Sequence, residues 1–197
     1  IQRMPADVLA RLCGEERHQG VAVRVRAPTL LDEPDLEGLA AAAGANALFL
    51  VLDQVTDPHN VGACIRSAAA AGATAVVFPK DGAASITPVV HRAAAGTSWW
   101  LPLVQVTNLA RTLDKLKDAG VWCYGLALGA DRQSLFATDL RGPIALVLGA
   151  EGEGLRELTR KCCDGLLEVP MAPGVESLNV SVTAGICLFE ARRQRGS

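Results

Sequence analysis

Two glycine-bearing loops near the end of the chain carry the residue types best suited to hold a ligand. The segment LVLGAEGEGL (residues 146–155) ends an apolar run in Gly149, Gly152 and Gly154, with Glu151 and Glu153 interleaved among them. Glycines at a strand end permit positive φ and let backbone N–H groups approach a ligand closely. Further on, EVPMAPGVESLNVSVTAGICLFEARRQR (residues 168–195) passes from an apolar run through a Pro/Gly turn to Ser177, Leu178, Asn179, Val180 and Ser181. Ser and Asn there can cap a helix and leave its first N–H groups facing a ligand. A small polar molecule with an apolar part would fit between the two loops. By spacing alone, the glycines also suit a plain tight strand-to-helix connection. Their order, G-x-x-G-x-G, is not the dinucleotide fingerprint G-x-G-x-x-G, and it falls late in the chain.

A third chemically loaded stretch lies earlier. Residues 53–60 (DQVTDPHN) follow an apolar run, and Asn60 stands where a helix begins, a position that suits an N-cap. Arg66 follows inside an otherwise small, apolar helix containing Val61, Ala63, Ile65 and Ala68. A long planar cation on so small a helix can grip a phosphate or carboxylate with both arms of its fork. Taken as a bare residue, Arg66 is equally a surface or ion-pair arginine. Histidine is a side-chain type suited to proton transfer near neutral pH, but His59, beside Pro58 in a turn, is of a kind commonly just exposed.

Together, LDQVTDPHNVGACIRSAAAAGATAVVFPK (residues 52–80) and the two later segments resemble the three motifs of the SpoU (TrmH-type) RNA ribose 2′-O-methyltransferases, in order, with the likeness covering residues 47–197. The likeness is strongest to the branch that methylates a guanosine of 23S ribosomal RNA. It implies an α/β fold of SPOUT type, in which a deep C-terminal trefoil knot is tied around a mostly parallel sheet, an exception to the usual absence of knots. It also implies a homodimer with the site near its interface, and S-adenosylmethionine as methyl donor. On this resemblance the catalytic set is Arg66, Asn60, Glu151, Ser177 and Asn179, and the cofactor set is Gly149, Val169, Met171 and Leu178, with no metal. Glu151 would orient Asn60 or Arg66 or take part in RNA binding. Arg66 would engage the RNA phosphate and promote loss of the 2′-hydroxyl proton. A guanidinium keeps its own proton in proteins, so stabilisation of the developing alkoxide is the physically simpler role.

These residues need a scaffold, and periodicity supplies one. Short apolar runs bounded by Gly, Pro, Asp or Asn at 47–52, 75–79, 100–106, 121–126, 144–148 and 166–170 read as buried strands. Helical patterns at 61–71, 87–95, 109–119, 155–163 and 179–195 lie between them. Strands alternating with helices imply a mostly parallel sheet covered on both faces. Thr107 or Asn108 can cap the third helix and Gly120 can end it. The closing helix carries small and apolar residues around much of its circumference, as a helix buried by both core and partner would.

The opening section reads differently. Residues 18–25 (HQGVAVRV) alternate like a half-exposed strand, and 28–37 (PTLLDEPDLE) are acidic and proline-containing. In the SpoU enzymes that this sequence resembles, a small RNA-binding domain precedes the catalytic domain. The resemblance implies that residues 1–27 are the end of such a domain, 28–46 a linker and 47–197 the catalytic domain, and an extra edge strand on the main sheet is the alternative for the first segment.

Composition sets the outer bounds. A chain of 197 residues, 50% of them hydrophobic, can bury one substantial core. No apolar run approaches a membrane span, and the chain reads as cytoplasmic with no membrane partner. Cys13, Cys64, Cys123, Cys162, Cys163 and Cys187 form no C-x-x-C pair and read as structural thiols. A net charge of −2 argues against wrapping nucleic acid by charge alone. Basic residues are nevertheless clustered, at Arg3, Arg11, Arg17, Arg24 and Arg26, at Arg156, Arg160 and Lys161, and at Arg192, Arg193 and Arg195. An RNA site could be local, or the last group could complement the C-terminal end of a helix dipole. Three functions fit: a ribosomal-RNA ribose methyltransferase, a transfer-RNA ribose methyltransferase of the same fold, or a non-catalytic RNA-binding protein that keeps the fold.

Overall fold

The computed structural model describes residues 1–14, 18–25, 28–127, 132–150 and 152–196. The apolar runs pair into an eight-stranded parallel sheet. Its strands are β1 (Leu31–Asp32), β2 (Leu48–Asp53), β3 (Ala75–Pro79), β4 (Leu103–Val106), β5 (Trp122–Leu126), β6 (Gln133–Ser134), β7 (Ile144–Gly149) and β8 (Gly165–Glu168). Across the sheet they run β1-β4-β3-β2-β7-β5-β8-β6. The helices are α1 (Ala6–Cys13), α2 (Asp35–Ala43), α3 (Pro58–Ala71), α4 (Pro88–Ala93), α5 (Leu109–Asp118), α6 (Glu157–Cys162) and α7 (Val180–Gln194).

Every residue of β2 is buried, which is why the strand reads as a continuous apolar run rather than an alternating one. Its side chains nevertheless divide by parity. Leu48, Leu50 and Leu52 join Ile65 and Ala68 of α3 and Ala184 and Leu188 of α7 in one core. Phe49 and Val51 join Leu36 of α2 and Leu113 and Leu116 of α5 in the other. Three layers result, with the sheet in the middle.

The six expected strands and five expected helices are all present, with edges shifted by a few residues. The largest change among the strands is at 100–106, where pairing begins only at Leu103. Pro102 has no N–H to give to a ladder; its carbonyl accepts from Val76 N at 3.0 Å, and Trp99 and Trp100 stay outside the strand in a short 3-10 turn and its exit.

Two readings of the opening section differ from the structure. Within the segment read as linker, β1 pairs with β4, and α2 buries Leu36 and Ala40 against the sheet. Glu33 is clamped there by α5: Arg111 donates from Nε and Nη2 at 3.0 and 2.9 Å, and Lys115 Nζ lies at 2.8 Å. These cations hold the Glu33 carboxyl down to about 2. The alternating residues 18–25 form no strand. Gln19 and Gly20 turn the chain at positive φ, and Val21, Val23 and Val25 are exposed, so the alternation buries no face. Among the described residues no helix is long and apolar enough to cross a membrane.

Candidate active site

The carboxyl ends of β5, β7 and β8 open into a cavity of about 570 Å³, the end at which open parallel sheets bind ligands. Leu126, Leu148, Val169, Met171 and Leu178 give it an apolar floor. Glu153, Arg160 and Glu176 line its charged part, and Ser177, Asn179 and Thr183 its hydroxyl and amide part. The volume is in the range of small-molecule sites. A flat heterocycle suits the apolar side, while an ammonium and a carboxylate suit the acidic and basic groups. Among the described residues there is no cluster of His, Cys, Asp and Glu poised to hold a metal ion.

The glycine loop owes its shape to contacts within the chain. Gly154 N donates to Ala150 O at 2.9 Å, the two residues pairing as an isolated antiparallel bridge. This fold-back lays Gly154 and Leu155 directly on Gly149, where any Cβ would fall inside their backbone. Gly149 lines the cavity, and its missing side chain makes room for the returning loop. Gly152 and Gly154 adopt φ of 81° and 71°, the left-handed region that favours glycine.

An unforeseen ion pair then anchors the loop to the first motif. Asp53, at the end of β2, is completely buried and accepts from Arg156 N at 3.0 Å and Arg156 Nε at 2.7 Å. Arg156 leaves the glycine loop just before α6. Asp53 opens the first motif and Arg156 heads the second basic cluster, but nothing in either local pattern points to the other.

The first motif is capped differently from expectation. Asp57, not Asn60, caps α3: its Oδ1 accepts from His59 N at 2.8 Å, with Pro58 at the first helical position. Asn60 sits inside the first turn, and its Oδ1 accepts from Asn179 Nδ2 at 3.0 Å. Asn179 is itself the cap of α7, its Oδ1 accepting from Ser181 N at 2.9 Å and Ser181 Oγ at 2.6 Å. Because that oxygen is committed to α7, the Asn179 amide must present its NH₂ to Asn60. One pair of amides therefore joins the first motif to the rim of the cavity.

The structure thus gathers Gly149, Val169, Met171, Ser177, Leu178 and Asn179 around one cavity and ties Asn60 to its edge. Arg66 is exposed on α3 and is not among the cavity-lining residues. It stands about 9 Å along the helix axis from Asn60 and on a different face. His59 is exposed. Glu151 lies outside the described residues. The C-terminal arginines are occupied structurally. Arg193 pairs with Glu190 at 2.8 Å, and Arg192 Nη1 donates to Ala70 O at 2.5 Å. Arg195 donates to the carbonyls of Asn46, Ala47, Leu140 and Gly142. All six cysteines are free, and burial pushes the Cys163 and Cys187 thiols up to about 12, so these two pack as small hydrophobes.

A parallel α/β sheet, with an amphiphilic cavity at its carboxyl edge and two capped helices meeting there, defines an α/β domain suited to hold a small amphiphilic ligand. Comparison with known proteins narrows the class. The sequence profile of the SpoU rRNA Methylase family matches residues 47–189. A 23S rRNA (guanosine-2′-O-)-methyltransferase RlmB from Xanthomonas campestris pv. campestris is 55% identical over 195 residues, which is 99% of this chain and 78% of the relative. Its counterpart in Shewanella oneidensis is 50% identical over 197 residues, 100% of this chain and 79% of the relative. Among solved structures, the SpoU methyltransferase AviRb from Streptomyces viridochromogenes in complex with AdoMet superposes with a TM-score of 0.71 at 31% identity, over 77% of this chain and 61% of that one. An AdoMet-bound rRNA methyltransferase from Sinorhizobium meliloti reaches 0.79 at 25% identity, over 96% and 70%. The chain belongs to the SpoU rRNA methylase family.

Proposed function

We propose that this chain transfers a methyl group from S-adenosylmethionine to the ribose 2′-hydroxyl of a guanosine in 23S ribosomal RNA, in the cytoplasm. The observation that carries the reading is the cavity of Gly149, Met171 and Leu178, joined by the Asn60–Asn179 hydrogen bond to the motif that presents Arg66. About half of the residues are shared with enzymes named for this reaction.

The residues fit the donor. Gly149, Val169 and Leu178 offer backbone groups, and Met171 and Leu178 offer apolar contact to adenine. When bound, S-adenosylmethionine supplies an electrophilic methyl carried on a sulfonium. The chain has to hold the 2′-oxygen in line with that methyl, where alignment gives the largest gain. Arg66, with its forked cation, holds the neighbouring phosphate and stabilises charge developing on the oxygen. Ser177, Asn179 and Asn60 form the polar rim that positions the ribose, with Glu151 assigned to orienting Asn60 or Arg66.

The same reading includes the α/β knot and a homodimer. In support of the dimer, Val182 and Phe189 stand about half exposed on the face of α7 opposite Ala184, Cys187 and Leu188, which are buried. Arg66, lying outside the cavity of its own chain, would then serve a site completed at the interface. Residues 1–27 are assigned to RNA recognition apart from the catalytic domain, since α1 buries none of its residues here.

The deciding experiment is methyl transfer from labelled S-adenosylmethionine to unmodified 23S and transfer RNA, with the modified nucleotide mapped. Product on a 23S guanosine ribose is expected. Product on transfer RNA alone would favour the sister activity, and cofactor binding without transfer to either would favour a non-catalytic RNA binder.

A further inference from the structure

Two adjacent indoles stand at the surface on the far side of α3 from α7. Trp99 is 41% and Trp100 64% exposed, although indoles are usually well buried. The Trp99 ring is held flat against His91, centroids 5.0 Å apart and planes 23° from parallel. His91 is fixed in turn by Ser98, which is 1% exposed and places Oγ 2.8 Å from Nδ1. Beside them lies a shallow cavity of about 260 Å³ bordered by Pro28, Thr29, Leu101 and Pro102. The Trp99 ring is thus oriented by its stacking on His91, which Ser98 holds in turn.

Its position relates it to Arg66. The turn Thr97–Trp99 packs on α3. Gly62 abuts α4 so closely that a Cβ there would strike Ala93 and the Val90 carbonyl. Arg66 stands one turn after Gly62 and on the same face of α3, the face that the His91–Trp100 segment borders. Arg92, also exposed, follows His91. Two exposed arginines therefore belong to the helices that carry or border this segment. The chain as a whole is net −2, and Arg193 and Arg195 are engaged in contacts within the fold. Charge alone is then a weak means of holding RNA, whereas stacking of unpaired bases on aromatic faces next to phosphate-seeking cations needs no net charge.

We propose that Trp99 and Trp100 form a stacking platform for unpaired RNA bases flanking the nucleotide that Arg66 engages. The proposal rests on the methyltransferase reading for the role of Arg66, but its test has an arm that does not. Trp99→Ala, Trp100→Ala and Trp100→Phe are compared with Trp122→Ala, which removes a similarly exposed indole stacked on Tyr124 at the amino end of β5. The readouts are KM and kcat on unmodified 23S RNA, S-adenosylmethionine affinity by calorimetry, and quenching of tryptophan fluorescence by short single-stranded oligoribonucleotides. Trp100→Ala is expected to raise KM for RNA on the order of tenfold with unchanged cofactor affinity. Trp100→Phe should retain most of the affinity, and Trp122→Ala should behave as wild type. Oligoribonucleotide quenching should be lost with the Trp99 and Trp100 indoles and kept without Trp122. Unchanged KM and quenching in both alanine variants would overturn the platform, as would an equal loss in Trp122→Ala or a change of oligomeric state on sedimentation in place of an RNA effect. If the wild type methylates no RNA yet the quenching pattern holds, the platform stands and the catalytic reading falls.

Discussion

The Asp53–Arg156 pair makes an asymmetric prediction. Asp53 is completely buried, whereas the Arg156 side chain is 41% exposed. Arg156→Ala removes the guanidinium and leaves a buried carboxylate held only by the backbone N–H of residue 156, a loss of about 3–5 kcal/mol for a broken buried pair. Asp53→Ala leaves a guanidinium that water can still reach. It forfeits the charge-assisted bonds at 2.7 and 3.0 Å, worth about 1.5–3 kcal/mol. In a domain of this size each kcal/mol moves the melting temperature by roughly 2–4 °C. The arginine variant should therefore lose roughly 12 °C and the aspartate variant roughly half of that. Asp53→Asn retains an oxygen for Arg156 N–H and should fall nearest the wild type. Differential scanning calorimetry gives the order, and isothermal titration with S-adenosylmethionine should show weakened binding in both alanine variants, because the anchored loop lines the cavity. An Asp53→Ala variant less stable than Arg156→Ala, or a full loss of stability with undiminished cofactor affinity, would refute the anchoring role.

Three further outcomes follow from the site and the charge clamps. Arg66→Ala should lower the methyl-transfer rate by about 10²–10³-fold with S-adenosylmethionine affinity unchanged, Arg66→Lys should recover only part because a point charge lacks the fork, and His59→Ala should be mild. A dead His59 variant beside an active Arg66 variant would invert the assignment. Gly149→Ala should displace the glycine loop, costing about 1–3 kcal/mol as an overpacked site does and abolishing cofactor binding; a folded variant with wild-type affinity would remove the loop from the site. Glu33 and Glu190 are both held down to about 2, the first by Arg111 and Lys115 and the second by Arg193 and Gln194. Their contribution to stability is complete above the ordinary carboxylate value of 4.5 and is lost as pH falls through about 2. Unfolding monitored by circular dichroism between these limits should show the decline, and Glu33→Gln should flatten it.

What the sequence revealed and concealed follows from how far each feature reaches. Residues 75–79 read as a strand with its observed bounds, because burial on both faces leaves an unbroken apolar run that Pro79 closes. The α2 helix was hidden by its composition: its stripe of Leu36, Leu39, Ala40 and Ala43 is half alanine and lies among acids and prolines that also describe a linker. Residues 18–25 misled in the opposite sense, since period-two alternation is local whereas strand pairing is not. By position Asn60 suits a cap as well as a site residue, but Pro58, favoured at the first helical turn, points to Asp57 as the cap. The Asp53–Arg156 anchor spans 103 positions, and no local pattern encodes such a contact. The arginines at the end of the chain looked like a surface charge cluster, and Arg195 instead satisfies carbonyls from two separate loops.

The Asn60–Asn179 contact explains why the two motifs must be read as one unit. The Asn179 side chain has a single oxygen and a single NH₂. The oxygen is spent on Ser181 at the start of α7, so the NH₂ direction is set by the helix cap and lands on Asn60. Loss of the cap would therefore do more than fray the first turn of α7. It would free the amide to rotate, release Asn60, and uncouple the Leu178 side of the cavity from the helix that carries Arg66. Asn179→Asp separates the two effects, because a carboxylate still caps Ser181 but has no N–H to give to Asn60. Such a variant should keep its melting temperature and its S-adenosylmethionine affinity while losing methyl-transfer rate. A variant with full rate would show that the helix cap alone holds this part of the site, and that the bridge to Asn60 carries no part of the alignment.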